Sequence, residues 1–147
     1  MTIEERLAKL ETDLARLKCH ATEEGVIRGS QFVLEDENGK PRAALQMTPN
    51  GPALCLCDEN DEPRAALSMT EGGPGLFLFD ESDDPRAALM LTKDGVGLSL
   101  SDENGKARAE LEVGKDCSRL RLSDKNGKSR AVLGVLKDDV GLGLAGR

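Results

Sequence analysis

The sequence predicts a mainly β fold: a repetitive antiparallel β-meander, assembled as a threefold β-prism behind a short parallel trimeric coiled coil. Three observations carry this expectation. From Gln31 onward the chain repeats itself every 22 residues without insertion or deletion. Each copy holds two alternating apolar runs separated by turn-forming pairs such as Asn104-Gly105. Ahead of the repeats, Ile3, Leu7, Leu10, Leu14, Leu17 and Ala21 are spaced alternately four and three residues apart, which makes one narrow helical seam.

The helix comes first. Residues 1–24 are assigned to it and 25–30 to a linker, with Gly25 as its stop. Leu7, Leu14 and Ala21 fall at heptad position a, and Ile3, Leu10 and Leu17 at d. In parallel chains each g residue meets the e residue five places along on its neighbour. Arg6 then meets Glu11 and Asp13 meets Lys18, both of opposite sign. Leu at a, with Ile or Leu at d, departs from the pattern that favours dimers. The bland alternative is a lone amphipathic helix packed on its own domain. So short a coiled coil is marginal alone, so its expected role is to register chains held together elsewhere.

The repeats occupy 31–147: full copies at 31–52, 53–74, 75–96, 97–118 and 119–140, and a partial sixth at 141–147. One turn carries Asn-Gly at 38–39, 104–105 and 126–127; the other carries Asn50-Gly51, Gly72-Gly73 and Asp94-Gly95. Read as two-residue type I′ turns, the first pairs Leu100 with Ala109 and Leu98 with Leu111. The second pairs Leu91 with Leu98 and Leu89 with Leu100. Both put the same Leu/Ala/Met set on one face. On the other face this register sets Arg42, Arg64 and Arg86 opposite Glu59, Glu81 and Glu103, and Glu112 opposite Arg121, with one adverse pair, Arg108 and Lys125. Pro41, Pro63 and Pro85 would face Asp36, Asp58 and Asp80 near strand ends. A parallel β-solenoid with 22-residue coils is the rival, but it gives no reason for turn chemistry at both ends.

A one-faced sheet of about eleven strands cannot bury that face unaided. Three copies brought together can, each supplying one wall of a prism roughly 50 Å long at about 4.8 Å per strand. With aromatic residues at 2%, no Trp or Tyr and three Phe, the core must be Leu, Ala, Val and Met, which suits a thin regular interior. A barrel closed within one chain is the other route, and it leaves the helix an appendage.

Two resemblances add to this reading. Arg6-Leu7-Ala8-Lys9-Leu10-Glu11 resembles the trimerisation motif of parallel three-stranded coiled coils, which implies roles for Arg6, Leu7, Leu10 and Glu11, with Leu14 and Leu17 continuing the seam. The 22-residue units resemble a repeat of uncharacterised bacterial proteins, L-x-L-x-D-E-N-G-K-x-R-A-x-L. That resemblance implies β-repeats and no particular activity. A coiled coil followed by threefold β-structure is also similar in architecture to phage tail fibres and trimeric surface adhesins.

Charge and composition exclude several classes. The net charge is −7 with acid and base interleaved, so no basic stripe is available to neutralise nucleic acid. No apolar run approaches the roughly 20 residues of a membrane span, and the charged stretch MTIEERLAKLE reads as no secretory signal. A cytoplasmic location is the default, with a phage-like assembly as the other setting. Cys19, Cys55, Cys57 and Cys117 follow no zinc or disulfide spacing, so reduced thiols are expected.

The candidate sites are few. His20, the only histidine, sits at a g position flanking the seam, where a metal-binding ring of three is disfavoured. The Asp-x-Asn-Gly runs at Asp36, Asp102 and Asp124 share part of a calcium-loop pattern but lack its remaining acidic ligands; Asp as a turn cap is the better reading. Cys55-x-Cys57 points outward from one strand, and two thiolates alone make a poor metal site. An outward apolar patch, Val33, Cys55, Cys57, Phe77, Phe79 and Met90 with Ala44, Ala66 and Ala88, is confined to the first three copies, where later copies carry Ser, Glu and Arg. It reads as a contact surface, unless the face assignment is locally wrong or arginine stems cover it.

The functional expectation is a non-enzymatic structural or adhesive homotrimer, a spacer or fibre-like scaffold without cofactor or metal. The alternative is a protein- or glycan-binding module using the apolar outer face of repeats one to three. An enzyme with a composite site between chains would need polar clusters breaking the repeat, and none is read outside the turns. The unpaired strand at 141–147 leaves end-to-end joining open.

Overall fold

The computed structural model describes residues 2–18, 28–136 and 139–145. The chain divides into a helical unit, Met1–Phe32, and a sheet unit, Val33–Arg147.

Helix α1 spans Ile3–Lys18. It opens with a capping box: the Glu5 N–H donates to Thr2 Oγ1 at 3.2 Å, and the Thr2 N–H donates to Glu5 Oε2 at 2.7 Å. Glu4 and Glu5 in the first turn suit the positive end of the helix dipole. Ile3, Leu7 and Leu10 are exposed, and Leu14 and Leu17 lie within the same helix. Cys19, His20, Ala21 and Gly25 fall outside the described residues.

The sheet unit is one eleven-stranded meander in strict chain order. Its strands are β1 (Gln31–Glu35), β2 (Pro41–Thr48), β3 (Gly51–Cys57), β4 (Pro63–Thr70), β5 (Gly73–Phe79) and β6 (Pro85–Thr92), followed by β7 (Gly95–Ser101), β8 (Ala107–Gly114), β9 (Cys117–Ser123), β10 (Ser129–Leu136) and β11 (Asp139–Leu144). From β2 on, each strand pairs antiparallel with its sequence neighbour. A solenoid would instead pair strands one coil apart in parallel, so the meander replaces that alternative.

The turn chemistry differs from the type I′ expectation at both ends. At the Asn-Gly end the loop has three residues, not two. Gly39 N–H donates to Asp36 O at 3.0 Å and Asp36 N–H to Lys40 O at 2.9 Å. Only one loop residue takes positive φ: Gly39 (77°), Asp61 (67°), Asp83 (61°), Gly105 (70°) and Gly127 (80°). This is a type I turn followed by a left-handed residue. The reason is the leading aspartate. Asp36 Oδ1 accepts the N–H groups of Asn38 and Lys40 at 2.8 and 3.0 Å, which closes the wider loop from its own side chain.

A three-residue loop should throw the strands one place out of register, and a β-bulge restores it. Ser101 pairs with Ala107 but Leu100 pairs with Ala109, leaving Arg108 as the extra residue. Arg64, Arg86 and Arg130 are left over in the same way. Leu98 therefore still faces Leu111, as the two-residue turn also required. Pro63 and Pro85 face Cys57 and Phe79 rather than the expected aspartates.

At the other end the turn is centred one residue earlier than expected, which shifts the pairing by two. Thr48, Thr70 and Thr92 pair with Gly51, Gly73 and Gly95. Leu89 accordingly faces Leu98, and Leu91 faces Val96. Because side chains alternate with period two, this shift of two keeps every residue on its expected face. The threonine hydroxyls donate to the glycine carbonyls, at 2.8 Å for Thr48 and Thr70, which fixes the turn on Thr rather than on Asn. Glycine is required next: Gly73 has φ 136°, and a Cβ there would lie 2.2 Å from the Leu91 carbonyl oxygen.

Candidate functional site

The two faces of the sheet have different chemistry. On one, a single row of leucines crosses ten strands without a break: Leu45, Leu54, Leu67, Leu76 and Leu89 pair in succession, then Leu98, Leu111, Leu120, Leu133 and Leu142. Beside it runs a row in which Ala alternates with Leu, from Ala43–Leu56 to Ala131–Leu144. The row on the other side holds Met47–Pro52, Met69–Pro74, Leu91–Val96 and Val135–Val140.

This face is uncovered in a single chain. Exposure along the leucine row runs from 37% at Leu98 to 67% at Leu142. Among the described residues only Ala53, Gly75 and Asp102 are buried, Ala53 at 8% and Asp102 at 9%, and no large side chain is fully buried. Folding one chain thus creates an apolar surface but no core. A leucine left near half exposed forgoes about 1 kcal/mol of the 1.5–3 kcal/mol its burial supplies. The outlying row of a self-closed barrel does not form either, since β1 and β11 are the two ends of the sheet order.

The opposite face carries Ala44–Cys55–Ala66–Phe77–Ala88 in one cross-strand row and Gly75–Met90 beside it. Of the residues singled out from sequence, Cys55, Cys57, Phe77, Phe79 and Met90 share this side. Phe77 and Phe79 stack with centroids 6.4 Å apart, and the Phe77 ring covers the spot where a Gly75 Cβ would sit, at 2.7 Å. Val33 lies on β1 and is exposed. The same row continues Ser99–Glu110–Arg121, so the face turns polar midway. Here the register corrects the expected ion pairs. Arg119 Nε donates to Glu112 Oε2 at 2.7 Å, and Arg121 pairs with Glu110 rather than with Glu112.

The expected pairs Arg42–Glu59, Arg64–Glu81 and Arg86–Glu103 do not form, and neither does the adverse contact of Arg108 with Lys125. Arg64, Arg86 and Arg108 are bulge residues, and each of these arginines, Arg42 included, reaches back to the aspartate that begins its own loop. Arg42, Arg64, Arg86, Arg108 and Arg130 bind Asp36, Asp58, Asp80, Asp102 and Asp124 at 2.6, 2.6, 3.2, 3.3 and 2.7 Å. Several also donate forward, Arg42 to the Asp58 carbonyl and Arg64 to the Asp80 carbonyl, and Arg86 and Arg108 to Ser101 O and Ser123 O at 2.9 and 2.8 Å. In the first four copies one guanidinium so ties its hairpin loop to the start of the next.

No family model matches this chain, and neither does any curated protein. Function must therefore be argued from the surfaces themselves.

The loop aspartates are held below the usual carboxylate range. At Asp36 the Lys40 N–H is the largest cause, at Asp58 that of Asn60 and at Asp80 that of Ser82, each aided by the arginine. At Asp102 and Asp124 desolvation opposes the shift, but the N–H groups and the arginine prevail. Both oxygens of each carboxylate serve protein donors, so these aspartates act as turn caps. Cys55 and Cys57 hold their sulfurs 4.0 Å apart, and desolvation followed by the neighbouring thiol raises the Cys55 pKa. Sequence reasoning missed the Asp–Arg clasp. Its signal was the constant six-residue separation of Asp and Arg in all five copies.

Proposed function

We propose that the chain is a non-enzymatic structural element, a trimeric scaffold whose copies bury their leucine faces against one another. The observation that carries this reading is the unbroken leucine row, apolar across ten strands and uncovered in one chain. Roughly a dozen leucines each forgoing about 1 kcal/mol is comparable with the whole stability of a domain, so the isolated sheet is a poor end point. Charge supports a partner of the same kind. Among the described residues its leucine, alanine–leucine and methionine–proline rows hold no charged side chain, so an apolar face of equal length suits it best. The exposed Ile3, Leu7 and Leu10 of α1 add a second self-complementary surface, and opposite charges at Arg6 and Glu11 support parallel registration of three chains.

Light scattering on a sizing column tests the reading. The expected mass is three times 15.7 kDa. A monomer with the same circular dichroism spectrum would overturn it, and a dimer would retain burial while removing the threefold arrangement.

A second reading is favoured by the Phe77–Phe79 stack: the outer face of the first repeats docks a protein or glycan. Replacing both, Phe77→Ser with Phe79→Ser, would then abolish capture of that partner while leaving the assembly mass unchanged.

A further inference from the structure

Cys55 and Cys57 occupy alternate positions on β3 and so project from one face, opposite the leucines. Their sulfurs stand 4.0 Å apart. Nothing in the repeat demands thiols here. The matching places carry Phe77 and Phe79 one copy later, and Ser99 and Ser101 the copy after, on the same backbone.

The spacing decides between two fates for such a pair. Alternate Cα atoms of an extended strand lie about 6.6–6.8 Å apart, at the wide limit for a disulfide, whose Cα separation centres on about 5.5–6 Å. Forming an S–S bond of about 2.05 Å would require the sulfurs to approach by roughly 2 Å. The strand cannot readily shorten to allow it, because Ala53, Leu54, Cys55 and Leu56 are each paired on both sides, with β2 and with β4. One atom placed between the sulfurs needs no such movement. Metal–thiolate bonds of about 2.3 Å reach both sulfurs across this gap at an S–metal–S angle of about 120°.

The donor set then selects the ion. Zinc takes four ligands, and among the described residues no group of three or more His, Cys, Asp or Glu side chains could hold a metal. Soft ions that are satisfied by two or three thiolates suit the pair, Cu(I) foremost. Ala44 and Ala66 flank Cys55, and Pro63 faces Cys57, so these partners offer no hard oxygen side-chain ligand.

We propose that Cys55 and Cys57 chelate one Cu(I) ion per chain, leaving its third coordination position open. Two thiols lose their protons to solvent, two Cu–S bonds form, and no electron is transferred. The site does not depend on the trimer, since it lies on the face away from the leucines.

The test uses the full chain under anaerobic conditions, with Cu(I) supplied as its acetonitrile complex and bicinchoninate as competitor. The unsubstituted chain is expected to retain one more Cu(I) per chain than Cys55→Ser with Cys57→Ser. Each single serine variant should lose about 100-fold or more in affinity, because the second arm of a chelate acts at high effective concentration. Equal copper content in the unsubstituted chain and the double variant would overturn the proposal. So would a single variant that kept full affinity. A measurement on the unsubstituted chain guards against misfolded variants: one equivalent of Cu(I) should protect Cys55 and Cys57 together from iodoacetamide while Cys117 still alkylates. Protection of Cys117 first, or equal protection by Zn(II), would refute the chelate.

Discussion

Replacing Leu98 by alanine separates an assembled sheet from a solitary one. Leu98 sits mid-row between Leu89 and Leu111 and is 37% exposed in the single chain. If the face stays open, the truncation leaves no enclosed cavity and forfeits only the burial already achieved, about 1–2 kcal/mol. If copies cover it, the residue is fully enclosed and its loss costs about 2–5 kcal/mol per chain, or roughly 6–15 kcal/mol for three chains unfolding together. The assay is urea unfolding followed by circular dichroism at two chain concentrations. A trimer unfolding to three chains loses two factors of ten in its equilibrium on tenfold dilution, about 2.8 kcal/mol, so its midpoint must fall. A midpoint unmoved by dilution, with Leu98→Ala costing under about 2 kcal/mol, would refute the reasoning.

Further outcomes follow from the turns and loops. Gly73→Ala should destabilise by more than about 2 kcal/mol, because positive φ and a carbonyl 2.2 Å from the new Cβ act together. Gly105→Ala, with φ 70° and nothing within 4 Å, should cost only about 1 kcal/mol; equal thermal midpoints for the two variants would discredit the turn argument. The five loop aspartates have depressed pKa values, so their stabilising effect is complete above the unfolded value of about 3.9 and is lost as pH falls through the lower folded values. Urea midpoints should therefore hold from pH 7 to 5 and drop towards pH 3, and a flat profile would exclude the clasp as a source of stability. Arg64→Lys keeps the charge but loses the fork that spans Asp58 and the Asp80 carbonyl. Amide exchange should quicken in both loops, and a change confined to 58–62 would show that the two are not coupled.

The meander was legible because its signals are redundant. Period-two runs, a fixed 22-residue repeat and Asn-Gly pairs each demand antiparallel hairpins, and the Leu98–Leu111 pairing followed from them directly. The turn types were not legible, since Asn-Gly fits both a two-residue turn and a three-residue loop. What chooses is the side chain of the preceding aspartate, together with an arginine that absorbs the extra residue. The shift at the Thr-Gly end was hidden for another reason. Moving the register by two leaves every face unchanged, so face-based checks could not detect it. Only the charge pairs could, and the adverse Arg108–Lys125 contact was the symptom of a register set two residues out.

The two faces also differ in how they vary among copies within this one chain. Along the leucine row the same residue recurs on ten successive strands. On the opposite side the matching row drifts from Ala, Cys and Phe to Ser, then Glu and Arg, then Val132 and Gly143. An isolated sheet would expose both sides to the same water and give neither a reason to stay constant. Uniformity on one side alone is what packing against a uniform surface requires, since each strand then meets the same environment as the last. A partner of unrelated sequence would present changing shape along some 48 Å of sheet at about 4.8 Å per strand. Another copy of the leucine row presents none. The constancy of that row thus favours the chain itself as the occupant of its apolar face, and the drift of the other leaves that side free to acquire separate chemistry, as the thiol pair on β3 illustrates.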